Sequence, residues 1–212
     1  FSDQRKIAYA PSFGIPRIPE EMEEELAGYL RQFSHLSVRE QQGQRIVRHI
    51  TGQDVPAVLD PTLLLDRQQW AEVAEPSPMR GGYILCYCIS RPGALEPYIR
   101  RLAEETGLPV VQLCGIRQKV HPRAHCVLDA GPAEFLGWFQ GASVVCTNSF
   151  HGTVFSTQFQ KPFFTAVAPA ELASPESSRT FSLLTTLGLT ERIIGKGDTA
   201  GLTDEIDYAA VE

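Results

Sequence analysis

Cys146-Thr-Asn-Ser-Phe-His-Gly-Thr-Val-Phe155 is the stretch whose reading decides the fold. An apolar run, residues 143–147, ends in a polar cluster and passes at once into helical spacing over residues 151–160. A strand apolar on both faces that runs straight into a helix is the repeating unit of a covered parallel sheet. The same alternation extends outward in both directions. Downstream, the spacing predicts a strand over 162–167, a polar loop over 169–178, and a helix over 179–187 closed by Gly188. Upstream, it predicts strands over 83–89 and 109–114 and helices over 95–107 and 132–140, with residues 115–129 ambiguous. Glu75-Pro-Ser-Pro-Met-Arg-Gly-Gly82, with two prolines and two glycines, reads as a linker. Ahead of it stands another series: strands over 6–10, 35–38 and 55–59, and helices over 20–33, 41–52 and 63–74. Met22, Leu26, Tyr29, Leu30 and Phe33 form one apolar stripe on the first of these helices. The expectation is an α/β protein of two doubly wound lobes, residues 1–78 and 79–212. The chain starts with Phe1 inside an apolar approach and stops in what reads as a helix opening at 205–212. Both ends therefore read as cut, and the first lobe as incomplete.

The chain has 212 residues, with 19 Lys and Arg against 25 Asp and Glu, a net charge of −6. That balance argues against a sequence-independent nucleic-acid binder, which needs a basic face. No apolar run approaches the roughly 20 residues of a membrane span. The five cysteines, Cys86, Cys88, Cys114, Cys126 and Cys146, are odd in number and lack a C-x-x-C spacing. They read as small apolar residues of a reducing compartment rather than a disulfide or zinc framework. His121 and His125 have metal-binding chemistry but no firm helix to organise them, so no metal is expected. Dinucleotide-binding and phosphate-binding glycine loops, a G-x-S-x-G elbow and a paired-carboxylate glycosidase site are all missing from the sequence.

Ligands of parallel α/β sheets sit beyond the carboxyl ends of the strands. That rule selects Ser12-Phe13-Gly14, Arg39-Glu40, Asp60-Pro61-Thr62 and Asn148-Ser-Phe-His-Gly152. Asn148 and Ser149 can donate hydrogen bonds beside a helix start that favours anions. His151 can move a proton near neutral pH. The same residues equally suit a capped helix with a packed histidine. Arg39 at a strand end matches a carboxylate or phosphate, or else pairs with Glu40 or a neighbouring acid. Arg179, after Glu176-Ser-Ser, opens a helix where the dipole disfavours a cation. A shared anion would explain that placement; a solvated side chain is the plainer reading. Asp60-Pro61-Thr62 reads as an Asx turn without a chemical role, and Lys161 as solvated.

Thr147-Asn-Ser-Phe-His-Gly-Thr-Val-Phe-Ser156, followed by Lys161-Pro-Phe163, resembles the signature of the polysaccharide pyruvyl transferase family. The resemblance continues in Lys6-Ile-Ala-Tyr-Ala10 with Ser12-Phe13-Gly14, in Leu36-Ser-Val-Arg-Glu40, in Val58-Leu-Asp-Pro-Thr62, and in Arg179 ahead of Leu183-Leu184 and Leu187-Gly-Leu189. It implies two Rossmann-like lobes arranged as in GT-B glycosyltransferases, with parallel sheets flanked by helices. It implies a bacterial enzyme of exopolysaccharide and cell-envelope biosynthesis. Such an enzyme moves the enolpyruvyl unit of phosphoenolpyruvate onto a sugar of a polysaccharide or its lipid-linked precursor, as a ketal, and releases phosphate. His151 and Arg39 would then be catalytic, and Arg179, Asn148, Ser149, Ser12 and Gly14 would bind substrate. No cofactor beyond the phosphoenolpyruvate donor, no metal and no nucleic acid is implied. The implied location is cytoplasmic, with peripheral contact at the inner membrane where lipid-linked acceptors reside. Family members carry more of the first lobe ahead of this segment and a helix after residues 206–208. Some have an Arg two residues before the central His, where this chain has Ser149. A nucleotide-sugar glycosyltransferase on the same scaffold and a non-catalytic glycan-assembly module stand as alternatives.

Overall fold

A computed structural model describes residues 4–113, 119–173, 175, 178–195, 201 and 204–211. The first sheet pairs β1 (Ile7–Ala8) with β2 (His35–Leu36) in parallel, Ile7 opposite His35 and Ala8 opposite Leu36. α1 (Glu20–Leu30) lies between them in sequence and packs against α2 (Gln41–Thr51). Glu20, Glu21 and Glu23 open α1, where the helix dipole favours acids. α2 stops at Gly52, whose φ of 76° closes the helix in the left-handed region.

The strand expected over 55–59 is instead a single bridge between Val38 and Ala57. Val38 N–H donates to the Pro56 carbonyl at 3.0 Å and Val58 N–H to the Val38 carbonyl at 2.8 Å. Pro56 has no N–H to extend the ladder. A 3-10 turn, Pro61–Leu63, follows, and then α3 (Arg67–Val73), opened by a capping box between Asp66 and Gln69.

The second sheet has six parallel strands. These are β3 (Ile84–Tyr87), β4 (Val110–Leu113), β5 (His125–Val127), β6 (Val144–Thr147), β7 (Phe163–Ala166) and β8 (Ile193–Ile194). Their spatial order is β5-β4-β3-β6-β7-β8, which is 3-2-1-4-5-6 counted within the sheet. The direction of winding reverses between β3 and β6, the point where such sheets open a crevice. Every residue of β4, β6 and β7 is buried. Alternate side chains feed two apolar layers, as the pleat requires. Ile84, Cys86 and Cys146 pack with Leu95, Ile99 and Leu102 of α4 (Leu95–Thr106). Tyr83, Leu85 and Val145 pack on the other face with Phe139 of α5 (Pro132–Gly141), Phe155 of α6 (Phe150–Gln158) and Leu184 of α8 (Arg179–Thr186).

Three further expectations are corrected. The loop read over 169–178 contains a short helix, α7 (Pro169–Ala173), with Pro169 at its first position, where a missing N–H costs nothing. The ambiguous stretch 115–129 holds β5 at the sheet edge; Cys114 and residues 115–118 lie outside the described residues. Residues 204–211 form a turn rather than a helix start, fastened by Arg192 donating to the Asp204 and Glu205 carbonyls at 3.0 and 3.1 Å. The linker does not float. Glu75 N–H donates to the Ala133 carbonyl at 3.0 Å, and a Cβ on Gly137 would lie 1.6 Å from the Glu75 carbonyl oxygen. Cys86, Cys88 and Cys146 are buried and belong to no disulfide among the described residues. No helix among the described residues is long and apolar enough to cross a membrane.

Candidate functional site

The decisive stretch lies at the winding reversal. At the end of β6, Thr147 Oγ1 donates to the Tyr87 carbonyl at 2.6 Å and accepts Ser149 N–H at 3.1 Å. Asn148 braces the loop after β3: its Oδ1 accepts Ile89 N–H at 2.9 Å, and its Nδ2 donates to Ser90 Oγ at 3.0 Å and to the Ser90 and Arg91 carbonyls at 3.3 Å. Ser149, buried, caps α6 by accepting Gly152 N–H at 3.3 Å. Asn148 thus ties the end of β6 to the loop after β3, and Ser149 fixes the start of α6. A Cβ at position 152 would lie 2.1 Å from Thr147 Oγ1 and 3.0 Å from Tyr87 Cδ1, so only glycine lets the helix seat this closely. His151 in that first turn keeps 44% of its side chain exposed.

The first sheet delivers the opposing groups. α6 grips the Asp60 turn directly: Gln158 Nε2 donates to the Thr62 and Leu65 carbonyls at 3.2 and 3.1 Å. Trp70 Nε1 donates to the same Thr62 carbonyl at 3.0 Å while its ring meets the Phe155 ring at 5.2 Å. Asp60 is buried; its Oδ1 accepts Thr62 N–H at 3.0 Å and Thr62 Oγ1–H at 2.5 Å. Its Oδ2 is paired with Arg39 and faces His151 Nε2 at 3.9 Å. The Asx turn expected there is present, yet it occupies only one of the two oxygens.

Arg179 opens α8 behind its cap, Ser178, and donates to Ser12 Oγ at 3.3 Å. It makes no ion pair among the described residues. Glu176 and Ser177 lie outside those residues. The loop bearing Ser12 is stitched to the segment after β2: Arg39 N–H donates to the Pro11 carbonyl at 3.3 Å and Phe13 N–H to Glu40 Oε1 at 2.9 Å. Arg39 therefore pairs with Asp60, and Glu40 serves the loop. Glu40 Oε2 and Arg39 Nε are buried without a partner among the described residues. Gly14 takes a φ of 66° at the exposed tip. The guanidinium carbons of Arg39 and Arg179 each lie 5.2 Å from the Phe150 ring centre, and the His151 ring lies 5.3 Å from it. Arg39, His151 and Arg179, 140 residues apart at their extremes (179 − 39), share one neighbourhood around Phe150.

The charges shape one another. Burial pushes the Asp60 carboxyl up, but bonds from Thr62 and Arg39 outweigh it and leave it lowered. Burial lowers His151, Asp60 opposes that, and Arg39 and Arg179 add to it. Burial and then the neighbouring Arg39 charge lower Arg179, against Glu40, Glu171 and Asp60. The cluster is thus rich in cations, with its imidazole tilted toward the neutral form, which an incoming anion would reverse. Concavities of about 560 Å³ between α1 and α2 and about 730 Å³ beside α4 lie away from this cluster. Asp60, Phe150 and Glu40 lie in the strand-end segments that the sequence selects, but none of them is assigned a role in the site from sequence. The signal for Asp60 was its place just past a strand end; Phe150 and Glu40 gave none beyond adjacency to His151 and Arg39.

Fold and cluster together give an α/β protein with a doubly wound parallel sheet and two arginines and a histidine gathered around Phe150. The sequence profile described as polysaccharide pyruvyl transferase matches residues 1–169, and the chain belongs to that family. No curated protein sequence matches the chain significantly. Among solved structures it is similar to the UDP-GlcNAc 2-epimerase of Methanocaldococcus jannaschii in complex with UDP-GlcNAc and UDP. The identity is 12% and the TM-score 0.51, over 97% of this chain and 67% of that one. A second structure of that enzyme aligns with 12% identity and a TM-score of 0.51, over 87% of this chain and 64% of that one. These likenesses show the GT-B-like fold. The chain spans between 54% and 67% of the length of such structures.

Proposed function

We propose that the protein transfers the enolpyruvyl unit of phosphoenolpyruvate onto two hydroxyls of one sugar, forming a ketal and releasing phosphate. The acceptor is a cell-surface polysaccharide or its lipid-linked precursor, met at the cytoplasmic side of the inner membrane. Residues 1–78 and 79–212 act as the two lobes. The observation that carries this reading is the convergence of Arg39, Arg179 and an Asp60-backed His151 around one buried ring, in a chain of the pyruvyl transferase family. Phosphoenolpyruvate presents a carboxylate and a phosphate, and guanidiniums suit both. Arg179, without an ion pair among the described residues, takes the phosphate; Arg39, oriented by Asp60, takes the carboxylate.

The bound anion raises His151 toward its protonated form, and Asp60 favours the same charge. Protonated His151 gives its proton to the methylene carbon, leaving oxocarbenium character at the adjacent carbon. A sugar hydroxyl attacks that carbon, and its proton restores His151. The second hydroxyl attacks as the carbon–oxygen bond to phosphate breaks, and its proton leaves with the phosphate. Asn148 serves by bracing the loop after β3, Ser149 by holding the first turn of α6, and Ser12 and Gly14 by shaping the loop against Arg179. The scheme requires no metal and no cofactor beyond the donor.

The test incubates the intact protein with phosphoenolpyruvate and a glycan acceptor. Phosphate release matching ketal formation is expected, with His151→Ala slower by about 10²–10⁴-fold. Consumption of a nucleotide sugar instead would make it a glycosyltransferase. Glycan binding without turnover of either donor would make it an assembly module.

A further inference from the structure

Phe150 is 8% exposed, yet it joins neither of the two apolar layers that flank the second sheet. Its ring is surrounded by charge instead. The guanidinium carbons of Arg39 and Arg179 each sit 5.2 Å from its centre, and the His151 ring meets it nearly edge-on at 5.3 Å and 76°. We infer that Phe150 is a positioning residue, its ring a common platform that seats both guanidiniums as one receptor for a dianion. The inference rests on the anion site proposed above and adds what keeps that site assembled before the anion arrives.

The two like charges repel, and Arg39 accordingly lowers the proton affinity of Arg179. Asp60 anchors Arg39, but Arg179 has only Ser12 Oγ as a side-chain hydrogen-bond partner among the described residues. An aromatic ring carries negative potential over its face and draws a guanidinium to it. It gives both arginines a fixed seat without adding an anion that would compete with the ligand. The ring itself is held rigidly. Phe150 is the first residue of α6, directly behind the Ser149 cap, and Gly152 seats that turn on Thr147 and Tyr87. A leucine would fill comparable volume and leave the arginines without the ring's electrostatic attraction. Preorganised cations bind an anion more tightly because less ordering remains to be done on binding.

The test replaces Phe150 in the intact protein with progressively fluorinated phenylalanines, which keep its shape and drain negative potential from its face. Calorimetry with phosphoenolpyruvate is expected to show affinity falling stepwise, about tenfold across the series. Phe150→Leu is expected to be at least as weak, and Phe150→Trp to recover affinity. A merely structural ring predicts equal affinity across the fluorinated series, and that result overturns the inference. The Nε–H resonances of Arg39 and Arg179 give a second reading that needs no ligand. Ring-current displacement in the wild type, lost in Phe150→Leu, supports the platform; undisplaced resonances overturn it. A wild type with displaced resonances and no affinity for phosphoenolpyruvate refutes the donor assignment and leaves the platform supported.

Discussion

Replacing Asp60 by Asn isolates the charge that ties the two halves of the site together. The amide oxygen can still accept both Thr62 bonds, which are 3.0 and 2.5 Å long. What disappears is the ion pair to Arg39, between side chains only 2% and 15% exposed. Removing one partner of a buried pair leaves the other charge uncompensated, at a cost of about 3 kcal/mol. For a chain of this size that corresponds to a fall in melting temperature of roughly 6–12 °C. The pH dependence follows from the sign of the shift. The folded-state pKa of Asp60 is depressed below 3.8, so the unfolded chain holds that proton more tightly. The pair's contribution is therefore complete above 3.8 and is lost as the pH falls through the lower native value. Urea unfolding of wild type and Asp60→Asn at several pH values, with circular dichroism as readout, measures the gap. It should persist from pH 7 to about 5, widening where His151 titrates because Asp60 favours its charge, and close only in stronger acid. Equal stability at pH 7, or a gap that closes near neutrality, would refute the reasoning.

Other outcomes are open to simple measurement. The free-protein His151 ring should titrate below 6.5 by NMR, move upward when phosphoenolpyruvate binds, and move further down in Asp60→Asn. With a protonated imidazole as the acid, kcat/KM should decline on the alkaline side of that same low value, and kcat at a higher pH. Gly152→Ala places a methyl 2.1 Å from Thr147 Oγ1 and should cost about 2–3 kcal/mol in urea unfolding while lowering turnover through displacement of His151. Gly137→Ala meets backbone rather than a side chain, 1.6 Å from the Glu75 carbonyl oxygen. It should cost more than about 3 kcal/mol and expose residues 75–77 to protease.

The alternating plan was legible because burial on both faces marks a strand such as Val144–Thr147 wherever it stands, and capping residues mark the helix beside it. Legibility failed where the local signal was short or shared. Pro56 sits in an apolar run that reads as a strand, yet proline cannot complete a ladder. Ile193–Ile194 is too brief to show a period. His125–Val127 is a partly exposed edge strand without apolar alternation. At the site, Arg39, Arg179 and His151 could be singled out because their chemistry and their places at element ends are written locally. Their mutual arrangement could not, since Arg179 meets Ser12 across 167 positions and Arg39 meets Asp60 across 21. Asn148 and Ser149 carry the right donors for a ligand, but their side chains brace the β3 loop and cap α6, a use that spacing cannot distinguish from binding.

The most direct measurement is a crystal structure of the intact protein soaked with phosphoenolpyruvate. The account predicts phosphate density on the Arg179 guanidinium, carboxylate density on that of Arg39, and the methylene carbon facing the imidazole of His151. Density for the molecule in another crevice, or bound here without touching either guanidinium, would contradict it.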